Sequence, residues 1–144
     1  MWQRVQTLYL AIATGLVVSL FFCDVATVVG PQGESAGIPY REYLPYLILM
    51  IVGSAANLVA LFSFKHRMFQ LRITAAAFVV LLGLQGWLVY KYFTSADGIV
   101  FAVTAVFPVV AAVFDILAVR GIFADELMVR NAGRLRSAKR NFSK

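Results

Sequence analysis

Four long runs of apolar residues constrain this chain more than any other feature of its sequence. A helix that crosses the ~30 Å hydrocarbon core of a bilayer needs about 20 mostly apolar residues. The runs are continuous rather than alternating, and backbone groups in lipid must form hydrogen bonds within their own segment, so helices are predicted rather than strands. The predicted membrane spans are residues 5–23, 43–64, 73–93 and 99–119.

The overall composition agrees with a membrane protein. Of 144 residues, 61 % are hydrophobic and 14 % are charged, whereas soluble domains are about half apolar and about a quarter charged. A soluble chain this small could not cover so much apolar surface. We therefore predict an all-α four-helix transmembrane domain in residues 1–119 and a basic tail in residues 120–144.

Basic residues predict the orientation of these spans. All Lys and Arg residues except Arg41 and Lys91, eleven of the 13, lie at the N-terminus, in the connection 65–72 or beyond residue 119. Connections rich in Lys and Arg stay on the cytoplasmic side of a membrane. Both termini are therefore predicted to be cytoplasmic, which makes the bundle antiparallel with an N-in, C-in topology.

The connections on the opposite side differ in length. The longer one, residues 24–42, contains two prolines and two glycines between positions 31 and 39. These residues interrupt regular structure, so an irregular connector is predicted, with a turn at residues 30–33. The connection at residues 94–98 is predicted to be a short turn that leads directly into the fourth span.

Small residues predict which side of each helix faces the bundle, because they let helix backbones approach closely in lipid. On the fourth span this face includes Pro108, which lacks a backbone N–H and is predicted to kink the helix. The predicted inward faces, given for the first to the fourth span in order, are Ala11, Gly15 and Ser19; Gly53, Ala56, Asn57 and Ala60; Ala76, Gly83 and Gly86; and Thr104, Pro108, Ala111, Asp115 and Ala118.

Asp115 is the one costly residue within a predicted span, since a carboxylate at a helix centre costs about 2.5–3.5 kcal/mol on insertion. Asn57 lies at a comparable depth, so a hydrogen bond between the two is predicted, with Arg120, Arg72 or Arg4 as the compensating charge. The pair is either a structural interhelical contact or a proton- or ion-coupled site. We favour the structural interpretation, because a proton path needs several ionisable groups in series.

The last span is predicted to continue as a cytoplasmic amphipathic basic helix, because Glu126, Arg130 and Arg134 follow each other at i+4 spacing. Its basic residues are expected to contact anionic lipid headgroups or a cytoplasmic protein partner. No nucleic-acid-binding fold is visible, so nucleic acid is the less favoured partner. The candidate lipid or partner contacts are Lys65, Arg67, Arg72, Arg130, Arg134, Arg136, Lys139 and Arg140.

The inventory of reactive residues argues against an enzyme. Cys23 and His66 are the only residues of their types, so neither a usual zinc site nor a disulfide is expected, and no cofactor motif is visible. We interpret the chain as a non-enzymatic scaffold, accessory subunit or interaction partner. The alternative is a small transporter or ligand-binding membrane module that uses Asn57 and Asp115.

Two segments of the sequence carry a resemblance to a known family. They are residues 1–10, MWQRVQTLYL, and residues 125–136, DELMVRNAGRLR. Together with the four-span layout they resemble a Bacteroidota family of small membrane proteins, domain of unknown function 4293. The resemblance implies a bacterial inner-membrane location and brings neither catalytic residues nor a known activity.

Overall fold

The computed structural model describes residues 2–95 and 97–143 and is mostly helical. Each of its four α-helices contains a stretch that is long and apolar enough to cross a membrane, as the sequence predicts. Each helix packs against its neighbours in the chain, and the first also packs against the last, which closes a four-helix bundle. The helices are α1 (Trp2–Ser19), α2 (Leu44–Phe62), α3 (Arg67–Thr94) and α4 (Phe107–Phe142).

Contacts between neighbouring helices show that they run antiparallel. On α2 and α3, Gly53 lies against Leu81, while Ala60 accepts a 3.1 Å hydrogen bond from Nε2 of Gln70. Residue numbers therefore rise along one helix as they fall along the other. Between α1 and α4, the hydrogen bond from Gln6 to Asp125 and the 6.0 Å ring contact of Tyr9 with Phe114 follow the same rule.

The fourth helix differs from its prediction at both ends. It begins at Phe107 rather than near residue 99, and it continues without interruption to Phe142. Pro108 lies in its first turn, where the missing N–H has no carbonyl partner to lose, so the predicted kink does not form. The predicted continuation of the last span as a helix is confirmed.

The predicted irregular connector is largely a β-sheet, so that prediction was wrong. Strands β1 (Asp24–Val29), β2 (Ser35–Pro39) and β3 (Ile99–Phe101) form one antiparallel sheet in the order β2-β1-β3. The turn at residues 30–33 is confirmed, since the Gly33 N–H donates to the Gly30 carbonyl at 3.0 Å. Pairing between β1 and β3 joins segments far apart in sequence, and local glycine and proline content cannot predict it.

The sheet covers one end of the bundle. Val25 and Ala26 of β1 are buried, as is Tyr40, which follows β2. These side chains form one apolar cluster with Leu20, Tyr46, Met50, Leu84 and Leu88 from the helix ends. The ring of Phe101 on β3 lies 5.4 Å from that of Tyr92 at the end of α3. Aromatic and aliphatic packing therefore closes this end.

The predicted inward faces are confirmed for α2 and α4 and are wrong for α1 and α3. Gly53, Asn57 and Ala60 are buried on α2, as are Pro108, Ala111, Asp115 and Ala118 on α4. Gly15 on α1 and Gly83 on α3 face outward, with no atom within 4 Å of an added Cβ. The buried faces are instead Gln6, Leu10, Ala13, Thr14 and Val17 on α1, and Gln70, Thr74, Ala77, Leu81, Leu84 and Leu88 on α3.

Candidate functional site

The centre of the bundle contains the polar pair that the sequence singles out. Asn57 on α2 and Asp115 on α4 are both 0 % exposed, although their helices are diagonal to each other in the bundle. The Asn57 amide lies against the Asp115 carboxyl group, so the structure brings the two residues together. Their geometry does not complete a hydrogen bond, and all four of their side-chain oxygen and nitrogen atoms are without a partner.

None of the predicted counter-charges reaches Asp115. Arg120, Arg72 and Arg4 are exposed, and among the described residues the one ion pair within 4.0 Å joins Arg130 to Glu126. Arg120 follows Asp115 by five positions, which places it about 140° around α4. A side chain with that phase points away from the bundle centre, so the carboxyl group is buried without a cation.

The buried hydroxyl groups of the neighbouring helices are engaged elsewhere. Thr14 on α1 donates to the Leu10 carbonyl at 2.7 Å, and Thr74 on α3 donates to the Gln70 carbonyl at 2.8 Å. Both hydroxyl protons are therefore used within their own helices. Asn57 and Asp115 keep an unused capacity for hydrogen bonds inside the bundle, which is costly unless something satisfies it.

The basic residues of the α2–α3 connection and of the first turns of α3 lie at the end of the bundle opposite the sheet. Lys65, Arg67 and Arg72 line an open surface hollow, whose rim includes Glu126 of α4. Arg130 bonds Glu126 at 3.1 Å, and its second guanidinium nitrogen lies 4.0 Å from Sδ of Met68. The structure therefore brings four of the eight predicted basic contacts to one end of the bundle.

The other four predicted contacts lie on the part of α4 that leaves the bundle. Residues 131–142, here called the projecting segment, are all exposed and helical. Their basic residues are separated from those of the α2–α3 connection. Lys144 lies outside the described residues. The basic residues of the projecting segment are Arg134, Arg136, Lys139 and Arg140.

Comparison with known protein families identifies the chain. Residues 2–135 match the family described as Domain of unknown function (DUF4293). The chain belongs to this family. No curated protein and no solved structure matches it. The DUF4293 match covers α1 to α3, the sheet and most of α4, and it ends inside the projecting segment.

A further cavity in this DUF4293 chain was not predicted from sequence. It has a volume of about 290 Å³ and lies at the end of the bundle opposite the sheet, between the start of α1 and the α2–α3 connection. Arg67 was singled out as a basic contact, but its convergence with Arg4 depends on how α1 packs. The lining residues are Arg4, Gln6, Thr7, Phe64, Arg67 and Gln70.

Proposed function

We propose that this DUF4293 chain is a non-enzymatic membrane protein that docks a partner protein on the projecting segment of α4. The observation that carries the proposal is a helix that leaves the bundle with an apolar stripe exposed along it. A lone helix of about 12 residues is marginal in water. A partner helix would cover the stripe and stabilise the segment.

The stripe has the spacing of a coiled-coil seam, alternating between three and four residues. Its large members become more exposed as α4 leaves the bundle: Met128 is 63 %, Leu135 is 73 % and Phe142 is 94 % exposed. Residues with this spacing share one side of a helix. The seam includes Leu117, continues past Gly121, which packs against Gln6 of α1, and runs outward through Ala124, Met128, Asn131, Leu135, Ala138 and Phe142.

Distance favours a protein partner over the lipid surface for this segment. From Arg120, at the end of the apolar part of α4, to Phe142 the helix rises about 33 Å. The Debye length at physiological ionic strength is about 8 Å. While α4 stays straight and upright, Lys139 and Arg140 are too far from the headgroups to interact with them.

Charge selects the kind of partner. Arg134 and Lys139 flank the seam, and residues 131–142 contain no Asp or Glu. A second copy aligned in parallel would bring like charges together, which is unfavourable. We therefore propose an acidic amphipathic helix of another protein. The positive-inside rule and the family resemblance support a cytoplasmic location for this docking at a bacterial inner membrane.

The proposal is tested by in-cell photo-crosslinking from position 135, with mass spectrometry of the products. The matched control is position 137, which lies about 200° away around the helix. We expect a protein crosslink from position 135 that maps to an acidic helix and is several-fold weaker from position 137. Equal products from both positions, crosslinks only to lipid, or crosslinks only to a second copy would each contradict the proposal.

A second candidate function is a small transporter or ligand-binding membrane module at Asn57 and Asp115. The four unpartnered polar atoms in the bundle centre favour it. Asp115→Asn should abolish cellular function under this alternative, whereas removal of residues 131–144 should abolish it under the docking proposal. Each change should leave cellular function intact under the other hypothesis, so the two phenotypes distinguish the transporter hypothesis from the docking proposal.

A further inference from the structure

The cavity of about 290 Å³ at the end of the bundle is lined by two cations and no anion. Arg4 and Arg67 contribute guanidinium groups from the start of α1 and the start of α3. Neither forms an ion pair within 4.0 Å in the part of the chain that the structure describes. Two unpaired guanidinium groups at one cavity favour an anionic ligand.

The two glutamine side chains of the cavity are held in place by hydrogen bonds. Gln6 donates at 2.8 Å to Oδ2 of Asp125, and Gln70 donates at 3.1 Å to the Ala60 carbonyl. Both glutamines are buried. They join α1 to α4 and α2 to α3, so the cavity wall is part of the bundle packing rather than an arrangement of mobile surface residues. The two arginines supply the charged donors for a ligand.

The cavity lies at the depth where apolar helix surface ends. Arg4 begins the apolar stretch of α1, and α2 ends at Phe62, five residues before Arg67. Phe64, which is 60 % exposed, adds an apolar wall beside the arginines. In a bilayer this is the layer of lipid phosphates, with acyl chains next to the helix surfaces below.

We propose that this cavity binds a phosphate group, which the headgroup of an anionic phospholipid supplies. Basic pockets between transmembrane helices bind such headgroups by charge and by directed hydrogen bonds. Arg4 and Arg67 bond the phosphate oxygens, and Phe64 contacts the glycerol and the first acyl carbons. This site does not depend on the docking of a partner to the projecting segment.

The test is lipid binding to the purified full chain in detergent, followed by native mass spectrometry with phosphatidylglycerol, phosphatidylcholine or inorganic phosphate. We expect phosphatidylglycerol to bind more tightly than phosphatidylcholine. The pair Arg4→Gln with Arg67→Gln should weaken phosphatidylglycerol binding by about 30-fold, at about 1 kcal/mol for each charge. The matched control, Arg136→Gln with Arg140→Gln, removes the same charge from the projecting segment and should change binding by less than about twofold.

Further measurements identify the source of the phosphate and check that the variants fold. Saturation by inorganic phosphate that depends on Arg4 and Arg67, without a preference for phosphatidylglycerol, would assign the site to free phosphate. The pair Arg4→Lys with Arg67→Lys keeps both charges and should retain most of the binding. If the double Gln variant does not fold, Arg4→Gln alone should weaken binding by about fivefold. Equal losses in the cavity and control pairs, or no loss in either, would overturn the proposal.

Discussion

Gln6, near the start of α1, donates a 2.8 Å hydrogen bond to Oδ2 of Asp125 on α4, 119 positions along the chain. Its side chain crosses α4 at Gly121, where an added Cβ would lie 2.9 Å from Cγ of Gln6. The missing side chain at Gly121 therefore gives Gln6 the path it needs to reach Asp125. This contact joins the first and last helices and closes the bundle at the end opposite the sheet.

The close contact at Gly121 predicts different effects on stability for two glycines of the same helix. Gly→Ala in a helix interior stabilises by about 1 kcal/mol through backbone entropy. Gly133 has no atom within 4 Å of an added Cβ, so Gly133→Ala should gain that amount. Gly121→Ala should displace Gln6 and lose its hydrogen bond, which offsets the gain by about 1–2 kcal/mol. Thermal unfolding in detergent measures the difference, and equal shifts for the two variants would contradict the contact.

Asp115→Asn is expected to stabilise the folded chain. The carboxyl group is buried without a cation, and an amide of the same shape avoids the cost of burying a charge while it stays against Asn57. We expect a gain of about 1–3 kcal/mol, seen as a higher unfolding temperature in detergent. Asp97→Asn is the matched control, because that side chain is exposed, and it should change stability by less than about 0.5 kcal/mol. Destabilisation by Asp115→Asn would indicate a bound cation or another specific partner of the carboxylate.

Tyr40 beneath the sheet predicts a loss of stability at alkaline pH. Burial raises the pKa of Tyr40 above its ordinary value of 10.0, the Thr104 hydroxyl lowers that pKa, and Cys23 raises it further. The unfolded chain therefore loses this proton before the folded chain does, so stability is complete below pH 10 and falls as the pH rises further. Between pH 9 and 11 the native chain should lose more stability than Tyr40→Phe, as measured by chemical unfolding. Equal losses would show that Tyr40 does not contribute.

The Tyr40 hydroxyl also predicts the effects of two substitutions at neutral pH. It is buried without a well-formed hydrogen bond, and the nearby Thr104 hydroxyl donates its own proton to the Asp24 carbonyl at 2.8 Å. Tyr40→Phe should therefore be close to neutral in unfolding free energy. Tyr40→Ala removes the ring from the apolar cluster and should cost about 3–5 kcal/mol. A large loss in Tyr40→Phe would show that the hydroxyl has a partner in the native membrane.

The proposed orientation predicts which surface cysteines a membrane-impermeant thiol reagent reaches. Cys23 is the one native cysteine and is first replaced by Ser. Ser35 and Ser137 are both exposed, on the sheet and on the projecting segment. From outside intact spheroplasts, Ser35→Cys should be labelled and Ser137→Cys should react only after the cells are opened. The reverse pattern would invert the orientation.

Local sequence determined the helical part of the fold because the membrane restricts the possible structures. The predicted span 43–64 and helix α2 (Leu44–Phe62) agree within two residues at each end. A bilayer imposes a length and excludes open strands from lipid, so hydropathy alone finds the spans. Outside the lipid these limits disappear, and the strands at residues 24–29 and 99–101 pair although about half of the chain separates them. The β-branched residues Val25, Thr27, Val28 and Val29 in the first strand were the available signal.

Part of the candidate site could also be predicted from the limits that the membrane imposes. Depth counted along the helices predicted that Asn57 and Asp115 meet, because two polar residues in lipid turn toward each other and away from the acyl chains. The prediction that Arg120 compensates the charge of Asp115 was wrong, because a side chain five positions further along a helix lies on a different face. The side of α1 that faces the bundle was also mispredicted. Gly15 permits close approach, but it does not require a neighbour.

The sequence by itself determined the number of helices, their antiparallel order, the helical continuation of α4 and the family, since each can be read along the chain without knowledge of contacts between segments. Only the tertiary structure decided which faces of α1 and α3 are buried, how the sheet covers the bundle, and that Arg4 and Arg67 meet at one cavity. These features depend on packing between different segments, and Arg4 and Arg67 are 63 positions apart. No local pattern encodes such contacts, because their energy comes from the fit of surfaces that exist only once the helices have assembled.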